Sequence, residues 1–206
     1  MSTKKIRILF LGASLVAGYS CMGAVYHPFS QHVASMLGTI LPDTKIETVV
    51  DGVPGDMVTR GRFLERMQKH FGKGQEPFDW TIVLGATNDI AFNIQGDEII
   101  EAFKKIWDIP LSHGSRVLAL TVPRATIDKN NAGLVHRRNV LNQLIKDHKA
   151  ENFYTFDLHD ALPCDENHRK YWDDAIHFTP EGYTFIGEKV GVALMGHIVA
   201  ERTKAA

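Results

Sequence analysis

The apolar residues of the chain fall into two alternating patterns. Short runs that are continuous or alternate with polar residues occur at Ile6–Leu11, Lys45–Val50, Asp79–Leu84, Arg116–Thr121 and Asn152–Phe156. They are rich in β-branched and aromatic residues, and Gly12, Gly85 and Pro123 stand just past three of them, the pattern of short buried strands. Between the runs, apolar residues recur at helical spacing: Phe29, Val33, Met36 and Leu37 between Pro28 and Gly38; Met57, Phe63, Leu64 and Met67 behind Asp56 as N-cap; Ile99, Ile100, Phe103, Ile106 and Trp107 over 97–109; Val135, Val140, Leu141, Leu144 and Ile145 over 134–148. A last helix is predicted to open at Thr179-Pro180, with Thr as cap and Pro at the first helical position, and to run through Ile198. Strand and helix alternate throughout, which predicts an α/β fold with three layers: a five-stranded parallel sheet with helices on both faces. The length and strand number suit the flavodoxin-like order 2-1-3-4-5. No internal repeat, low-complexity tract or linker interrupts the pattern, so residues 1–206 read as one domain.

Polar residues gather just after the first three strands. Ser14 follows the first, Asp51-Gly52-Val53-Pro54-Gly55-Asp56 the second, and Ala86-Thr87-Asn88-Asp89 the third. In the predicted order these strands are neighbours, so their carboxyl ends share the edge where open α/β sheets bind ligands. Taken alone, Ser14 reads as a cap for the next helix, and Gly55 as a turn glycine. A fourth block, Trp172–Pro180, changes that, because it sets Asp174 three residues ahead of His177. Acyl transfer needs a hydroxyl nucleophile, a base, a group that orients the base, and donors for an oxyanion. Ser14 can attack, His177 can take its proton, and Asp174 can hold the ring. The N–H groups of Ser14 and Gly55 and the amide of Asn88 can serve as donors. Gly52 competes with Gly55, and Asp173 with Asp174, although the three-residue offset favours Asp174.

These four blocks resemble those of the SGNH hydrolases, also called the GDSL lipase/esterase family. The resemblance spans residues 6–180. It implies Ser14 as nucleophile, Asp174 and His177 as acid and base, and Ser14, Gly55 and Asn88 as the oxyanion hole, with no cofactor or metal. The sequence departs from the family in two places. Its usual Gly-Asp-Ser-Leu is Gly12-Ala13-Ser14-Leu15 here, and Gly85-Ala86-Thr87-Asn88 carries one residue more than the family's common spacing. The implied activity is hydrolysis of carboxylic esters, with short acyl or acetyl esters expected. Carbohydrate deacetylase, lysophospholipase and acyltransferase are alternatives that use the same residues.

Bulk properties narrow the partners. Net charge is −1 and the pI is about 6.8, so no basic face invites nucleic acid. No apolar run reaches the roughly 18 residues of a membrane span, and no signal-peptide pattern precedes the first strand. A soluble, cytoplasmic protein acting on a small ester is expected. Cys21 and Cys164 lack metal-ligand spacing and read as free thiols. Two other hypotheses follow from particular segments. Asp157, His159, Asp160, Asp165, Glu166, His168, Asp173, Asp174 and His177 crowd one stretch that could hold a metal, and His159 and His168 could line the pocket. Gly12-Ala13-Ser14 could bind phosphate in a flavodoxin-like, non-enzymatic module, but it matches neither the dinucleotide fingerprint nor the P-loop. The remaining histidines, His27, His32, His70, His113, His136, His148 and His197, read as surface or core residues.

Overall fold

The structure is a computed structural model that describes residues 4–204. In chain order the elements are β1 (Lys4–Gly12), α1 (Ser14–Ala17), β2 (Tyr19–Ser20), β3 (Val25–Tyr26), α2 (Ser30–Ile40), β4 (Thr44–Gly52), α3 (Phe63–His70), β5 (Trp80–Leu84), α4 (Thr87–Ala91), α5 (Gly96–Ser112), β6 (Arg116–Leu120), α6 (Ala132–Asp147), β7 (Phe153–Phe156), α7 (Leu158–Ala161) and α8 (Pro180–Lys204). Five strands form a parallel sheet in the order β4-β1-β5-β6-β7, the predicted 2-1-3-4-5 order.

Successive side chains of a strand point to opposite faces, and β1 supplies both cores. Ile6, Ile8 and Phe10 join Phe29, Val33 and Leu37 of the α2 region and Tyr183, Ile186, Val190 and Leu194 of α8. Leu9 and Leu11 join Phe63 and Met67 of α3, Phe103 and Trp107 of α5, and Leu141 and Ile145 of α6. Burial on both faces accounts for the nearly unbroken apolar run of this central strand.

The sheet register sets the functional edge. Gly12, at the end of β1, is level with Gly52 of β4 and Leu84 of β5. The short α1 then folds directly onto these ends. A Cβ at Gly12 would stand 2.2 Å from Val16 Cγ2, and one at Gly52 would stand 2.3 Å from the Ala17 nitrogen. Gly52 is therefore required by close packing.

Three local differences from the sequence expectations have physical causes. Asp56 does not cap a helix, and α3 begins only at Phe63. Asp56 Oδ1 instead accepts the N–H groups of Met57 and Arg62 at 3.0 and 2.8 Å, while Asp89 takes those of Val58 and Thr59. Residues 57–62 thus wrap around two carboxylates. The loop after Ser14 contains the β2–β3 ladder, too short to show a strand period. The polar stretch after β7 holds α7 and a 3-10 turn at Glu166–Tyr171, capped by the side chains of Asp157 and Asp165.

Candidate active site

Ser14 opens α1, and Ala13 occupies the capping position. The Ser14 hydroxyl therefore caps nothing. Its Oγ lies 3.0 Å from Nε2 of His177, 163 residues away in sequence. The α1 turn closes at Gly18, whose left-handed backbone (φ 76°) lets its N–H reach the Ser14 carbonyl. Ser14 is nearly buried, at 8% exposure.

The His177 loop is built to aim the ring. Trp172 and Phe178 bridge across it, and the Asp173 N–H donates to the His177 carbonyl at 2.9 Å. Asp174 Oδ1 accepts the N–H groups of Ile176 and His177, both at 2.7 Å, and Oδ2 lies 2.8 Å from His177 Nδ1. Partial burial pushes the Asp174 carboxyl up, but the backbone N–H of His177, its ring and the N–H of Ile176 outweigh that and hold it below the usual carboxylate range. The Tyr19 ring packs on the imidazole, with centroids 4.6 Å apart. Tyr19 is itself held by Tyr183, whose buried hydroxyl donates to the Tyr19 carbonyl at 2.8 Å. Asp173 turns away from His177, and its Oδ2 accepts the Cys21 N–H at 2.6 Å.

Gly55 sits in an exposed turn with φ +81°, a left-handed conformation suited to glycine. The turn is closed by Asp56 N–H to Val53 O and anchored by Val53 N–H to Gly12 O, both at 3.1 Å. Asn88 lies in the first turn of α4, and its Nδ2 donates to the Asp56 carbonyl at 2.7 Å. That leaves the second amide N–H of Asn88 free to donate elsewhere. Among the described residues, the main-chain N–H groups of Ser14 and Gly55 donate to no protein acceptor. The arrangement can move a proton from a hydroxyl to an imidazole held by a carboxylate, and it offers donors from three neighbouring loops.

Beside these loops lies a small apolar cleft with an accessible volume of about 20 Å³. Thr87 and Ile90 of α4, Val122, Ala125 and Ile127 beyond β6, and Ile176 form much of its wall. Thr87 and Ile176 are the sequence neighbours of Asn88 and His177.

The model of the GDSL-like lipase/acylhydrolase family matches residues 10–185, most of the chain. The chain belongs to that family. It is accordingly a carboxylic ester hydrolase. Its fold is similar to that of a lipase/acylhydrolase from Enterococcus faecalis (TM-score 0.72, 21% identity, 93% of this chain and 96% of that one). A carbohydrate acetylesterase family member from Sinorhizobium meliloti (TM-score 0.67, 16% identity, 92% and 97%) and an acetylxylan esterase from Geobacillus stearothermophilus (TM-score 0.67, 16% identity, 92% and 94%) share the fold as well. A comparison with curated proteins found no match. Among the described residues, no helix is long and apolar enough to cross a membrane.

Within this GDSL-like hydrolase, Ala86, two residues before Asn88, adopts a left-handed backbone (φ 74°) that costs a non-glycine residue about 1–2 kcal/mol. Asp89, which sequence reasoning passed over, is fully buried. It accepts from Val58 N–H, Thr59 N–H and Thr59 Oγ1 at 3.0, 2.9 and 2.7 Å, so it ties α4 to the segment after Gly55. Its position directly after Asn88 was the only available signal.

Other candidates lie outside this group. His159 pairs with Asp160 and His168 with Asp165. Of the residues crowded between 157 and 177, Asp157, His159 and Asp160 bring ligand atoms within 4.8 Å of one another. Lys146 and Thr121 already bond to Asp157, and Arg124 to Asp160. Cys21 is exposed, Cys164 is half-buried, and both are free thiols.

Proposed function

We propose that this protein is one catalytic domain that hydrolyses short-acyl esters through an acyl-enzyme on Ser14. The observation that carries this is the unbroken chain of contacts from Ser14 Oγ to His177 Nε2 (3.0 Å) and from His177 Nδ1 to Asp174 Oδ2 (2.8 Å). Ser14 Oγ attacks the ester carbonyl carbon while His177 Nε2 takes the hydroxyl proton. The carbonyl π electrons move onto oxygen, and that oxyanion meets the Ser14 and Gly55 N–H groups and the second N–H of Asn88. Collapse of the tetrahedral intermediate breaks the bond to the alcohol, and His177 returns the proton to the leaving oxygen. A water then attacks the acyl-enzyme with His177 again as base, releasing the acid and restoring Ser14. Asp174 keeps the proton on Nδ1 and stabilises the imidazolium.

The apolar cleft between Thr87 and Ile176 suits the acyl group. Its accessible volume is only about 20 Å³, room for about one water-sized group, which favours short chains. Each buried methylene is worth about 0.8 kcal/mol, or roughly fourfold. Specificity constants for p-nitrophenyl esters should therefore rise by about that factor per methylene from acetate until the cleft is full, and then fall. The alcohol side is open, since Gly55 and Asp174 are both exposed. Acetylated saccharides are thus the second reading, in keeping with the fold shared with the acetylxylan esterase.

The deciding experiment compares wild type and Ser14→Ala on the ester series, with and without EDTA, and follows labelling by a fluorophosphonate. Activity and labelling lost in Ser14→Ala and insensitive to EDTA support the proposal. An active Ser14→Ala refutes it.

A further inference from the structure

We propose that Arg66 is a positioning residue that fixes the oxyanion donors relative to one another, a role that rests on the acyl-enzyme reading above. Its side chain is 8% exposed, and its guanidinium lies over the Phe63 ring, 4.9 Å from the centroid. From α3 it bonds directly to two of the three loops of the site and reaches the third through Asp56. Nη2 donates to the Gly12 carbonyl at 2.9 Å and to Asp56 Oδ2 at 2.8 Å. Nη1 donates to Asp51 Oδ1 at 2.6 Å and to the Asp51 carbonyl at 2.8 Å. Nε donates to Asp56 Oδ2 at 3.2 Å.

The contacts to Gly12 and Asp56 lead to the donors. Gly12 lies two residues before Ser14, at the end of β1, and its carbonyl also holds the Gly55 turn through Val53 N–H. Asp56 follows Gly55 directly, and its carbonyl receives the Asn88 amide. One planar cation thus links the loops carrying Ser14, Gly55 and Asn88. The Gly55 turn needs such a tether. It is exposed, and no atom beyond its chain neighbours lies within 4 Å of where a Cβ at Gly55 would stand. Packing therefore does little to hold its N–H in place. The residue beside the nucleophile, where the resemblance leads one to expect an aspartate, is the buried Ala13 and makes no side-chain hydrogen bond. The carboxylates that Arg66 engages at this edge are Asp51 and Asp56, with His70 on the second oxygen of Asp51 at 2.8 Å.

Buried ion pairs contribute little net stability compared with apolar packing, because desolvation offsets their attraction. A guanidinium does supply a rigid fork of donors that an ammonium cannot reproduce. Misplacement of catalytic groups by about 1 Å costs around a hundredfold in rate. The test is Arg66→Lys, which keeps the charge and loses the fork. Active sites are counted by fluorophosphonate titration, and kcat per titrated site, KM, and the Ki of butylboronic acid, a probe whose tetrahedral adduct sets an oxygen among the donors, are then measured. The expected result is kcat down about tenfold or more, KM within twofold, and Ki raised by a factor similar to the loss in kcat. A purely structural role lowers the number of titrated sites and leaves kcat per site and Ki unchanged, and that result would overturn the proposal. If Arg66→Lys yields no folded protein, Asp56→Asn removes the same bridge from its other end and is judged by the same criteria. Ser14→Ala, run in parallel, separates the two claims. Its retained activity would refute the acyl-enzyme itself, whereas an inactive Ser14→Ala with unchanged kcat and Ki in Arg66→Lys would refute only the role of Arg66.

Discussion

Asn88→Ala separates catalysis from stability at one side chain. The substitution removes the Nδ2 that bonds Asp56 O at 2.7 Å, and with it the second N–H assigned to the oxyanion. The first loss is structural. Asn88 is half-buried, water can reach the vacated carbonyl, and one ordinary hydrogen bond contributes about 1 kcal/mol net. For a chain of this size that lowers Tm by about 2–4 °C. The second loss acts on the barrier. An oxyanion donor removed from other acyl-transfer enzymes costs about 2.7–4 kcal/mol, or two to three orders of magnitude in kcat. The two effects thus differ enough to be read apart in one preparation. Thermal melting gives the first, and p-nitrophenyl butyrate turnover per fluorophosphonate-titrated site gives the second. KM should change little, because the ground-state carbonyl carries little charge. A kcat within threefold of wild type in a folded Asn88→Ala would remove Asn88 from the oxyanion site and leave it only the task of holding Asp56.

Further predictions concern the rest of the site and its support. Asp174→Asn keeps an oxygen for the backbone donors but presents an amide to Nδ1, so kcat should fall by about three to four orders of magnitude while Ser14 remains in place. Because the Asp174 carboxyl is depressed when folded, its stabilisation is complete above the ordinary value of 3.8 and fades as pH falls through the lower folded value; the Tm gap between wild type and Asp174→Asn should close in acid along that course. His27, His148, His159 and His197 are lowered from 6.5, chiefly by burial, so the unfolded chain binds more protons there and stability should fall as pH drops below about 6.5. His27 also packs against His32, with Nε2 atoms 2.8 Å apart, and His27→Gln should flatten the plot of Tm against pH. Tyr183→Phe leaves the Tyr19 carbonyl without its 2.8 Å donor, which should cost about 1–3 kcal/mol in chemical denaturation and lower kcat a few fold, because Tyr19 backs the His177 ring; an unchanged denaturation midpoint would argue against the anchor.

Much of this architecture was legible in the sequence because its causes are local. A strand buried on both faces must be apolar nearly throughout, and Ile6–Leu11 is. Strand ends in a parallel sheet come level when the register matches, which set Ser14, Gly55 and Asn88 at one edge without knowledge of a single contact. Asp174 and His177 were readable as a pair because three residues within one loop suffice for the carboxylate to cap the backbone and hold the ring. The helix expected behind Asp56 begins only at Phe63, since periodicity says nothing about which carboxylate a backbone N–H will find, and Asp56 and Asp89 divide the intervening segment between them. The β2–β3 ladder has two residues per strand, too few for any period to register.

What remained hidden depends on distance along the chain. Arg66 reads as one polar position on an amphipathic helix, yet its guanidinium meets Gly12, 54 residues earlier. Cys21 meets Asp173 across 152 residues, and that bond links the loop after Ser14 to the loop carrying His177. The residues proposed to carry out the reaction sit in short blocks that a pattern can mark, while those that hold the blocks in register lie between them. The walls of the cleft, Val122, Ala125 and Ile127, also fall outside the four blocks. Substitution at Ile127 should therefore change which acyl chains are accepted without altering how Ser14, His177 and Asp174 meet, since the hydrogen bond from Ile127 to that loop, N–H to Ala175 O, is main-chain and survives the change. On the proposed reading, the chemistry and the choice of substrate are carried by different segments, and only the first lies in the blocks that carry the family resemblance.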